Sequence, residues 1–414
     1  MQADLLITHA SQLLTLSAPA PRRGAALSDL GLIRDGAVAV AEGCIAAVGT
    51  TDALARRVRA ARELDAAGRV VMPAFVDPHT HVLYAGSRID EFERRLQGAT
   101  YQEIMASGGG IMSTVRATRA ATDEALLAET GIRLRRMLAL GTATVEVKTG
   151  YGLDPAHELR QLRLIRALAG RGPQRLVPTF LGAHAVPAEY AGRADAYVER
   201  VVEEMLPQAA GLAAYCDVFC DEGAFTLAQT ERILRRARQL GLGLKVHADE
   251  FAPLGAAALA ADLGAASAEH LVCTPAGEMA HLAASGTAAV LLPATGFGLG
   301  GGHYAPGRAW VEAGAIVALA TDCNPGTAPS ESMPFAIALA CRALGLTPAQ
   351  AVAAATLNAA YAVGRAEEVG SLVPGKAADL LVLDAEDYRE LAYRFGGNPV
   401  QQVIVGGRIV SGAG

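Results

Sequence analysis

Lysine is nearly absent from this chain and occurs only at positions 148, 245 and 376 of its 414 residues. Arginine supplies the remaining positive charge and is interspersed with acidic residues, and the formal net charge is −6. The absence of a basic stripe argues against a nucleic-acid partner. The six cysteines include no CxxC pair, which predicts reduced thiols in a cytoplasmic protein.

A long, purely apolar run is also missing. The longest uncharged stretch, residues 282–302, contains Pro293 and several glycine, serine and threonine residues, which predicts a buried strand with glycine-rich loops rather than a membrane span. Residues 1–4 lack the basic region of a signal peptide. These absences predict a soluble cytoplasmic enzyme that acts without a membrane.

Short apolar strands separated by turns occupy both ends of the chain. The pattern predicts strands at 4–8, 37–41, 44–48 and 62–64, and again at 380–383, 400–405 and 408–410. Neither end carries enough apolar residues for a core of its own. We therefore expect one small β-sandwich domain built from residues 1–72 and 366–414.

The middle of the chain, residues 73–365, alternates apolar strands with helical patterns. Eight strands are predicted, at 70–76, 143–148, 176–181, 217–219, 244–246, 267–268, 288–292 and 316–320. Helical patterns intervene at 122–140, 159–168, 227–240 and 275–285. Eight such units predict an α/β fold, a (β/α)8 TIM-like barrel. The alternative, a doubly wound open sheet, lacks a GxGxxG motif after the first strand.

The most informative motif follows the first barrel strand, where His79 and His81 are spaced to lie on one face. Two later strands end at His247 and Asp322. Because active-site groups of such barrels lie at the C-terminal ends of the strands, these four side chains are expected to meet. Three imidazoles and a carboxylate leave a position for water, and a metal ion there lowers the pKa of that water to about 7.

Several further groups are candidates for proton transfer or for additional metal binding. Glu250, three residues past His247, suits a general base, although an acid at a helix N-terminus is the plainer alternative. His270 ends the sixth strand and is either a ligand or a group hydrogen-bonded near the metal. A metal-bridging carboxylated lysine belongs on strand four, whereas Lys148 ends strand two. One metal ion is therefore predicted.

Substrate contacts are expected from the loops that follow the strands. Arg88 lies in a long insertion, residues 84–119, with a glycine-rich centre at 107–110. Its guanidinium would bind a substrate carboxylate through two hydrogen bonds. His184 ends the third strand, within reach of a polarised carbonyl. Residues 324–327, after Asp322, offer a side-chain amide and backbone donors.

Six stretches of sequence carry a family resemblance. They are DPHTH at 77–81, GGGIMSTVRATR at 108–119, EVKTGYGL at 146–153, TFLGAHAVP at 179–187, HADE at 247–250 and TDCNPG at 321–326. Through them the chain resembles the amidohydrolase superfamily and, within it, the imidazolonepropionase family. The first stretch and the final aspartate mark only the superfamily, whereas the third, fourth and sixth stretches are more specific to the imidazolonepropionase family.

The resemblance implies hydrolytic opening of the ring of 4-imidazolone-5-propanoate to N-formimidoyl-L-glutamate, a step of L-histidine degradation. It implies one Zn2+ or Fe ion per subunit, held by His79, His81, His247 and Asp322. Glu250 is the implied proton acceptor, with His270 and Asp322 as the other catalytic groups. The implied substrate contacts are Arg88, Tyr101, Tyr151, His184, Asn324, Gly326 and Thr327. Dimers are common for such barrels, so a homodimer is expected.

Two features depart from the family pattern, and two other functions stay open. Thr149 stands where serine is usual, and loop 295–303 is richer in glycine than typical members. An aminohydrolase or cyclic amidase acting on a nucleobase-like ring would have no use for Arg88. A non-catalytic scaffold protein with the same barrel would be expected to lose metal ligands, whereas this chain keeps all four candidate ligands.

Overall fold

The structure is a computed structural model that describes residues 1–17, 19–99, 103 and 108–412. Two sheets of eight strands each organise the described chain. In chain order the strands are β1 (Gln2–Leu14), β2 (Leu32–Ala41), β3 (Cys44–Thr50), β4 (Arg59–Asp65), β5 (Val71–Pro73), β6 (Phe75–Asp77), β7 (Thr142–Lys148), β8 (Arg175–Ala183), β9 (Tyr215–Cys220), β10 (Gly243–Ala248), β11 (Ser267–His270), β12 (Ala288–Leu291), β13 (Ile316–Leu319), β14 (Leu380–Leu383), β15 (Val400–Val405) and β16 (Arg408–Gly412).

The barrel consists of β6 to β13, which lie side by side in chain order and are all parallel. Its first and last strands meet through the residues that follow them. The amide of Asp322 donates to the carbonyl of His79 (3.1 Å), and the amide of His81 donates to that of Cys323 (3.0 Å). The segments that carry three predicted metal ligands therefore also close the barrel, and the predicted (β/α)8 architecture is confirmed.

The prediction of one strand over 70–76 is wrong, because the chain changes sheets within it. β5 pairs with β14 in the small domain, whereas β6 pairs with β7 in the barrel. Between them the amide of Ala74 donates to the carbonyl of Asp379 (3.0 Å). A continuous apolar run cannot reveal this change, since both halves are buried.

The small domain predicted from both chain ends is confirmed. Its sheet has the order β16-β15-β14-β5-β1-β2-β3. The remaining strand, β4, lies outside this order and pairs in parallel with β1. The pairing of β14 with β5 joins the C-terminal segment to the N-terminal one. One face buries apolar side chains such as Ile7, Val38 and Leu380. The boundaries at 72/73 and 365/366 stay predictions.

Helices connect the barrel strands and flank the small domain. They are α1 (Thr51–Ala55), α2 (Ile89–Leu96), α3 (Ile111–Ala120), α4 (Asp123–Ala139), α5 (Pro155–Ala169), α6 (Ala194–Arg200), α7 (Leu206–Ala209), α8 (Leu227–Gln239), α9 (Ala256–Asp262), α10 (Ala276–Ala284), α11 (Pro293–Gly298), α12 (Gly307–Glu312), α13 (Met333–Ala343), α14 (Pro348–Ala354), α15 (Leu357–Ala362) and α16 (Glu390–Tyr393). The helix predicted at 159–168 begins earlier, at Pro155, because Asp154 caps it by accepting from the amide of His157. Within the described ranges, none of the helices is long and apolar enough to cross a bilayer.

Candidate metal centre and substrate pocket

The four predicted metal ligands lie together at the C-terminal end of the barrel. Nε2 of His79 is 3.2 Å from Nε2 of His81, which is 3.4 Å from Nε2 of His247. Oδ1 of Asp322 is 3.3 Å from Nε2 of His79 and 3.5 Å from Nε2 of His81. All four residues are buried. Three nitrogens and one oxygen therefore converge on one point.

The hydrogen bonding of these imidazoles shows that the convergence suits a cation. Nδ1 of His79 is hydrogen-bonded to Glu269, and Nδ1 of His247 is 2.9 Å from Oδ2 of Asp217. A carboxylate only accepts, so Nδ1 of His79 carries a ring proton. Carboxylates beside Nδ1 of His79 and His247 are the usual partners of metal-ligating histidines, whose Nε2 lone pairs a metal ion would take.

Asp322 is held so that one oxygen remains for a metal. Its Oδ2 accepts a hydrogen bond from Oγ1 of Thr295 (2.6 Å), while Oδ1 faces the imidazoles. The residue adopts a positive φ of 52°, a backbone conformation that is uncommon outside glycine and frequent at functional sites. Thr295, in the glycine-rich stretch 295–303, therefore orients a predicted ligand, a role that sequence reasoning missed.

Glu250 and His270 face each other beside the predicted ligands. Nδ1 of His270 lies 3.5 Å from Oε1 of Glu250, and the His270 ring is centred 5.5 Å from that of His79. Burial raises the pKa of Glu250 well above its usual range, and the charges of Asp322 and Asp221 add to this shift. A carboxyl group with a raised pKa beside the site suits reversible proton transfer.

Asp221, at the end of β9, determines where Glu250 lies. Its Oδ2 accepts from the amides of Glu250 (2.7 Å) and Phe251 (2.9 Å), and its Oδ1 accepts from that of Ala252 (3.0 Å). The carboxylate thus shapes the turn that follows β10. Sequence reasoning missed this role of Asp221, although an acidic residue just past a strand end was an available signal.

A second group that sequence reasoning missed lies deeper in the barrel. Five charged side chains are fully buried there, namely Glu146, Lys148, Asp217, Lys245 and Glu269. The available signal was charge inside apolar strands, since Glu146 and Lys148 on β7 share one face, as do Lys245 and His247 on β10. Burial alone lowers the pKa of Lys148, but the carboxylates of Asp217, Glu146 and Glu269 outweigh it and raise this pKa.

Tyr151 and His184 form one wall of the site. The His184 ring stacks on that of His81 with centroids 4.9 Å apart, and Tyr151 lies 5.5 Å from His184. Burial, with the nearby His247, lowers the pKa of His184 to about 3, so the ring is neutral. Its Nδ1 donates to the carbonyl of Gly150 (3.1 Å), which leaves Nε2 as an acceptor. His184 therefore suits a substrate N–H better than the polarised carbonyl predicted for it.

Arg88 lies at the entrance of α2 and is already paired with an acid. Its Nε and Nη2 are 2.9 and 2.8 Å from Oε2 of Glu91, whose Oε1 accepts from the amide of Gly110 (3.0 Å). A Cβ atom at Gly326 would collide with Nη1 of Arg88. The structure thus brings Arg88 beside the 324–327 turn and links it through Glu91 to the glycine-rich insertion.

The 324–327 turn is internally bonded. Oδ1 of Asn324 accepts from the amides of Gly326 and Thr327, both at 2.8 Å, and its Nδ2 donates to the carbonyl of Asp322 (2.7 Å). A Cβ atom at Gly298 would collide with the carbonyl oxygen of Thr327. Close packing against this turn therefore explains why one residue of loop 295–303 is a glycine. Substrate contacts from this turn stay a prediction. Tyr101 lies outside the described residues.

Two cavities accompany these elements. One of about 200 Å3 opens beside Glu250 and His270 and is also lined by Thr295 and Tyr304. A larger one, of about 1030 Å3, lies between α4, α5 and β16, and none of the predicted site residues lines it. Of these two cavities, the smaller is the one lined by predicted site residues, namely Glu250 and His270.

Solved structures share the fold at low sequence identity. A triazine hydrolase variant matches with a TM-score of 0.75 and 18% identity, covering 99% of this chain and 94% of that one. An adenosine deaminase from Xanthomonas campestris, solved with bound zinc, matches with a TM-score of 0.71 and 22% identity, covering 99% and 93%. At this identity the likeness concerns the fold alone.

Sequence comparison identifies much nearer relatives. The imidazolonepropionase of Chloroflexus aggregans is 53% identical over 98% of both chains, and that of Geobacillus kaustophilus is 47% identical over 98% of this chain and 97% of its own. The imidazolonepropionase of Symbiobacterium thermophilum is 53% identical over 98% and 97%. The model of the amidohydrolase family matches residues 70–410. The chain therefore belongs to the amidohydrolase family and, within it, to the imidazolonepropionases.

Proposed function

We propose that this protein hydrolyses the ring carbon–nitrogen bond of 4-imidazolone-5-propanoate, giving N-formimidoyl-L-glutamate in L-histidine degradation. It is a hydrolase acting on a cyclic amide. The observation that carries the proposal is the 53% identity to an imidazolonepropionase over 98% of both chains. The convergence of His79, His81, His247 and Asp322 beside Glu250 supports it.

We infer that one zinc or iron ion per subunit completes the site, held by His79, His81, His247 and Asp322. The donor set of three imidazoles and one carboxylate fits either metal. When bound, such an ion acts as a Lewis acid and lowers the pKa of water. The carboxylates beneath the imidazoles are paired with Lys148 and Lys245, whose positive charges disfavour a second cation there.

The protein's own groups provide proton transfer. Water adds to the ring carbonyl carbon, and Glu250 accepts the proton that this water releases. As the carbon–nitrogen bond breaks, the same proton is passed to the leaving ring nitrogen. His270, 3.5 Å from Glu250, assists by stabilising the carboxylate through its Nδ1–H. Asp322, held by Thr295, remains ionised and orients the reacting groups.

Binding groups are proposed around this centre. Arg88 binds the propionate carboxylate, and Tyr151 and His184 contact the ring. The 324–327 turn completes the pocket through Asn324, Gly326 and Thr327, and Tyr101 stays a substrate contact implied by the family resemblance alone. The partner is accordingly a small molecule that carries a carboxylate. A homodimer stays a prediction, to be measured by sedimentation of the purified protein.

Assay of the purified, metal-loaded protein with 4-imidazolone-5-propanoate tests the function directly. We expect turnover to N-formimidoyl-L-glutamate and no release of ammonia. Adenine, guanine and cytosine serve as nucleobase controls and should not be consumed. Ammonia release from a nucleobase, with no product from imidazolone propionate, would contradict the proposal and favour an aminohydrolase.

Replacing Arg88 with methionine should reduce recognition of the substrate carboxylate. A charge-assisted hydrogen bond contributes about 1.5–3 kcal/mol, so kcat/KM should fall at least roughly tenfold. The decisive measurement is the ratio of kcat/KM for the substrate to that for its neutral amide analogue. This ratio should be large for the wild type and much smaller for Arg88→Met.

Arg95 offers a matched control for that experiment. It lies on the same helix, and its Nη2 contacts the carbonyl oxygen of Gly326 at 3.2 Å. Arg95→Met removes an equal charge nearby and should leave the ratio unchanged. If Arg88→Met discriminates between acid and amide as strongly as the wild type, the carboxylate is bound elsewhere.

A further inference from the structure

The charged cluster beneath the imidazoles comprises Glu146, Lys148, Asp217, Lys245 and Glu269, whose side chains are all 0% exposed. Four barrel strands contribute them, namely β7, β9, β10 and β11. Burying five charges is costly unless each is paired, and one lost partner leaves an uncompensated charge. A barrel core built from apolar side chains would avoid this cost, so the cluster calls for a functional explanation.

Lys148 is surrounded by three carboxylates. Its Nζ donates to Oδ2 of Asp217 (2.8 Å) and to Oε1 of Glu146 (3.1 Å) and forms an ion pair with Oε2 of Glu269 at 2.9 Å. An ammonium group has three donors and no acceptor, so acids on three sides suit it. Lys148 is thus held in the centre of three acids and does not reach the imidazoles itself.

Two of these contacts involve the oxygens that also contact the metal-site histidines. Oδ2 of Asp217, which is bound to Lys148, lies 2.9 Å from Nδ1 of His247. Oε2 of Glu269, likewise bound to Lys148, is hydrogen-bonded to Nδ1 of His79. One ammonium group therefore links two imidazoles that come from different strands, through a single carboxylate oxygen on each side.

Lys245 is buried in the same cluster but is connected differently. Its Nζ contacts the other oxygen of Glu269, Oε1, at 2.9 Å, together with Oε2 of Glu146 (3.3 Å) and the carbonyl of Pro78 (3.0 Å). Lys245 and Asp217 are paired across β10 and β9, but among the described residues the Nζ of Lys245 forms no ion pair with the Asp217 carboxylate. Lys245 therefore contacts neither of the two carboxylate oxygens, Oδ2 of Asp217 and Oε2 of Glu269, that touch an imidazole.

We propose that Lys148 is a positioning residue of the metal site, which holds Asp217 and Glu269 so that His247 and His79 direct Nε2 at one metal ion. The carboxylates determine which nitrogen of each ring carries the proton, and Lys148 determines where the two carboxylates lie. Such outer partners of metal-ligating histidines commonly change metal affinity by about 10–100-fold when mutated. The proposal rests on the metal site proposed above.

Two charge-matched double variants test this assignment. Lys148→Met with Glu146→Gln removes one ammonium and the one carboxylate that touches neither imidazole. Lys245→Met with Glu146→Gln makes the same charge change but leaves Lys148 in place. The readouts are the Zn2+ dissociation constant, from competition with a chelator, and the difference in Tm between zinc-loaded and metal-free protein.

We expect the Lys148 double variant to bind Zn2+ about 10–100-fold more weakly than the wild type and to show a smaller zinc-dependent rise in Tm at the same zinc concentration. The Lys245 double variant should stay within about threefold of the wild type, allowing for ordinary scatter. Equal dissociation constants for the two double variants would overturn the proposal, because a purely structural role affects both lysines alike.

Asp217→Asn provides a second route that keeps both lysines and the side-chain shape. It removes the charged oxygen between Lys148 and His247, so Zn2+ binding should weaken about tenfold or more while the metal-free fold is retained. Wild-type affinity in this variant would overturn the proposal even if the Lys148 double variant fails to fold. A wild type that binds no metal at all would instead contradict the proposed function.

Discussion

Replacing Glu250 with glutamine should lower kcat by roughly 10²–10⁴-fold, the usual contribution of a general base. Glutamine retains the shape and the backbone contacts to Asp221, but it cannot accept a proton from water. The four predicted metal ligands are untouched, so the bound metal should stay at its wild-type level. Steady-state kinetics with 4-imidazolone-5-propanoate and elemental analysis of the same sample provide the measurement.

An exposed acid close by serves as the control for this prediction. Glu222 follows Asp221 directly and is solvent-exposed, so Glu222→Gln changes the same charge without touching the site. Its kcat should match the wild type. Near-normal kcat in Glu250→Gln would mean that the base is another group, with His270 and Asp322 as the remaining candidates.

Replacing His247 with alanine should remove the metal ion and, with it, at least roughly 10³-fold of activity. The estimate follows because a metal ion contributes several kcal/mol to the stability of the transition state and about 1.4 kcal/mol corresponds to a factor of ten. Elemental analysis should give about one zinc or iron per chain for the wild type and almost none for the variant. Circular dichroism should show that the barrel remains folded, since its core is apolar and extensive.

His281 is the matched control for His247. It lies on α10 and its side chain is half-exposed. Its Nε2 is 2.7 Å from Oδ1 of Asp262, which is not one of the predicted site residues. His281→Ala should keep one metal ion per chain and wild-type kinetics. Two tightly held ions in the wild type would contradict the single-metal assignment and would point to His270 as an additional ligand.

The spacing of the sequence motifs correctly predicted that the four metal-ligand candidates follow barrel strands. His79 and His81 are two residues apart, and His247 and Asp322 follow apolar runs, so the barrel interpretation placed all four at one end. In the structure His81 lies 3.2–3.5 Å from each of the other three ligand atoms, and His79 lies 3.3 Å from Asp322. This worked because strand alternation and parallel pairing are local rules that a pattern of residue types expresses directly.

The residues that hold those ligands were not predictable in the same way. Glu269 and His270 are neighbours, and simple alternation would direct them to opposite faces, yet both serve the site. His270 has a positive φ of 74°, which ends the alternation and turns its side chain back toward Glu250. No pattern of residue types signals such a backbone conformation at a non-glycine residue.

Arg88 illustrates the same limit on the substrate side. Its position in the chain predicted a carboxylate clamp, but the Glu91 partner and the collision that a side chain at Gly326 would cause appear only in three dimensions. Gly326 is 238 residues further along the chain than Arg88, and their contact depends on how the first and last barrel strands meet.

By itself, the sequence determined the barrel, the small domain from both chain ends, the family and the candidate ligands, because each depends on local periodicity or on short motifs. The tertiary structure alone decided that two of the three lysines lie buried among carboxylates, and that Lys148 contacts the same carboxylate oxygens as His79 and His247. It also decided that the run at 70–76 divides between two sheets. These features depend on the register between strands that are distant in sequence, and register is a property of the packed barrel rather than of any single segment.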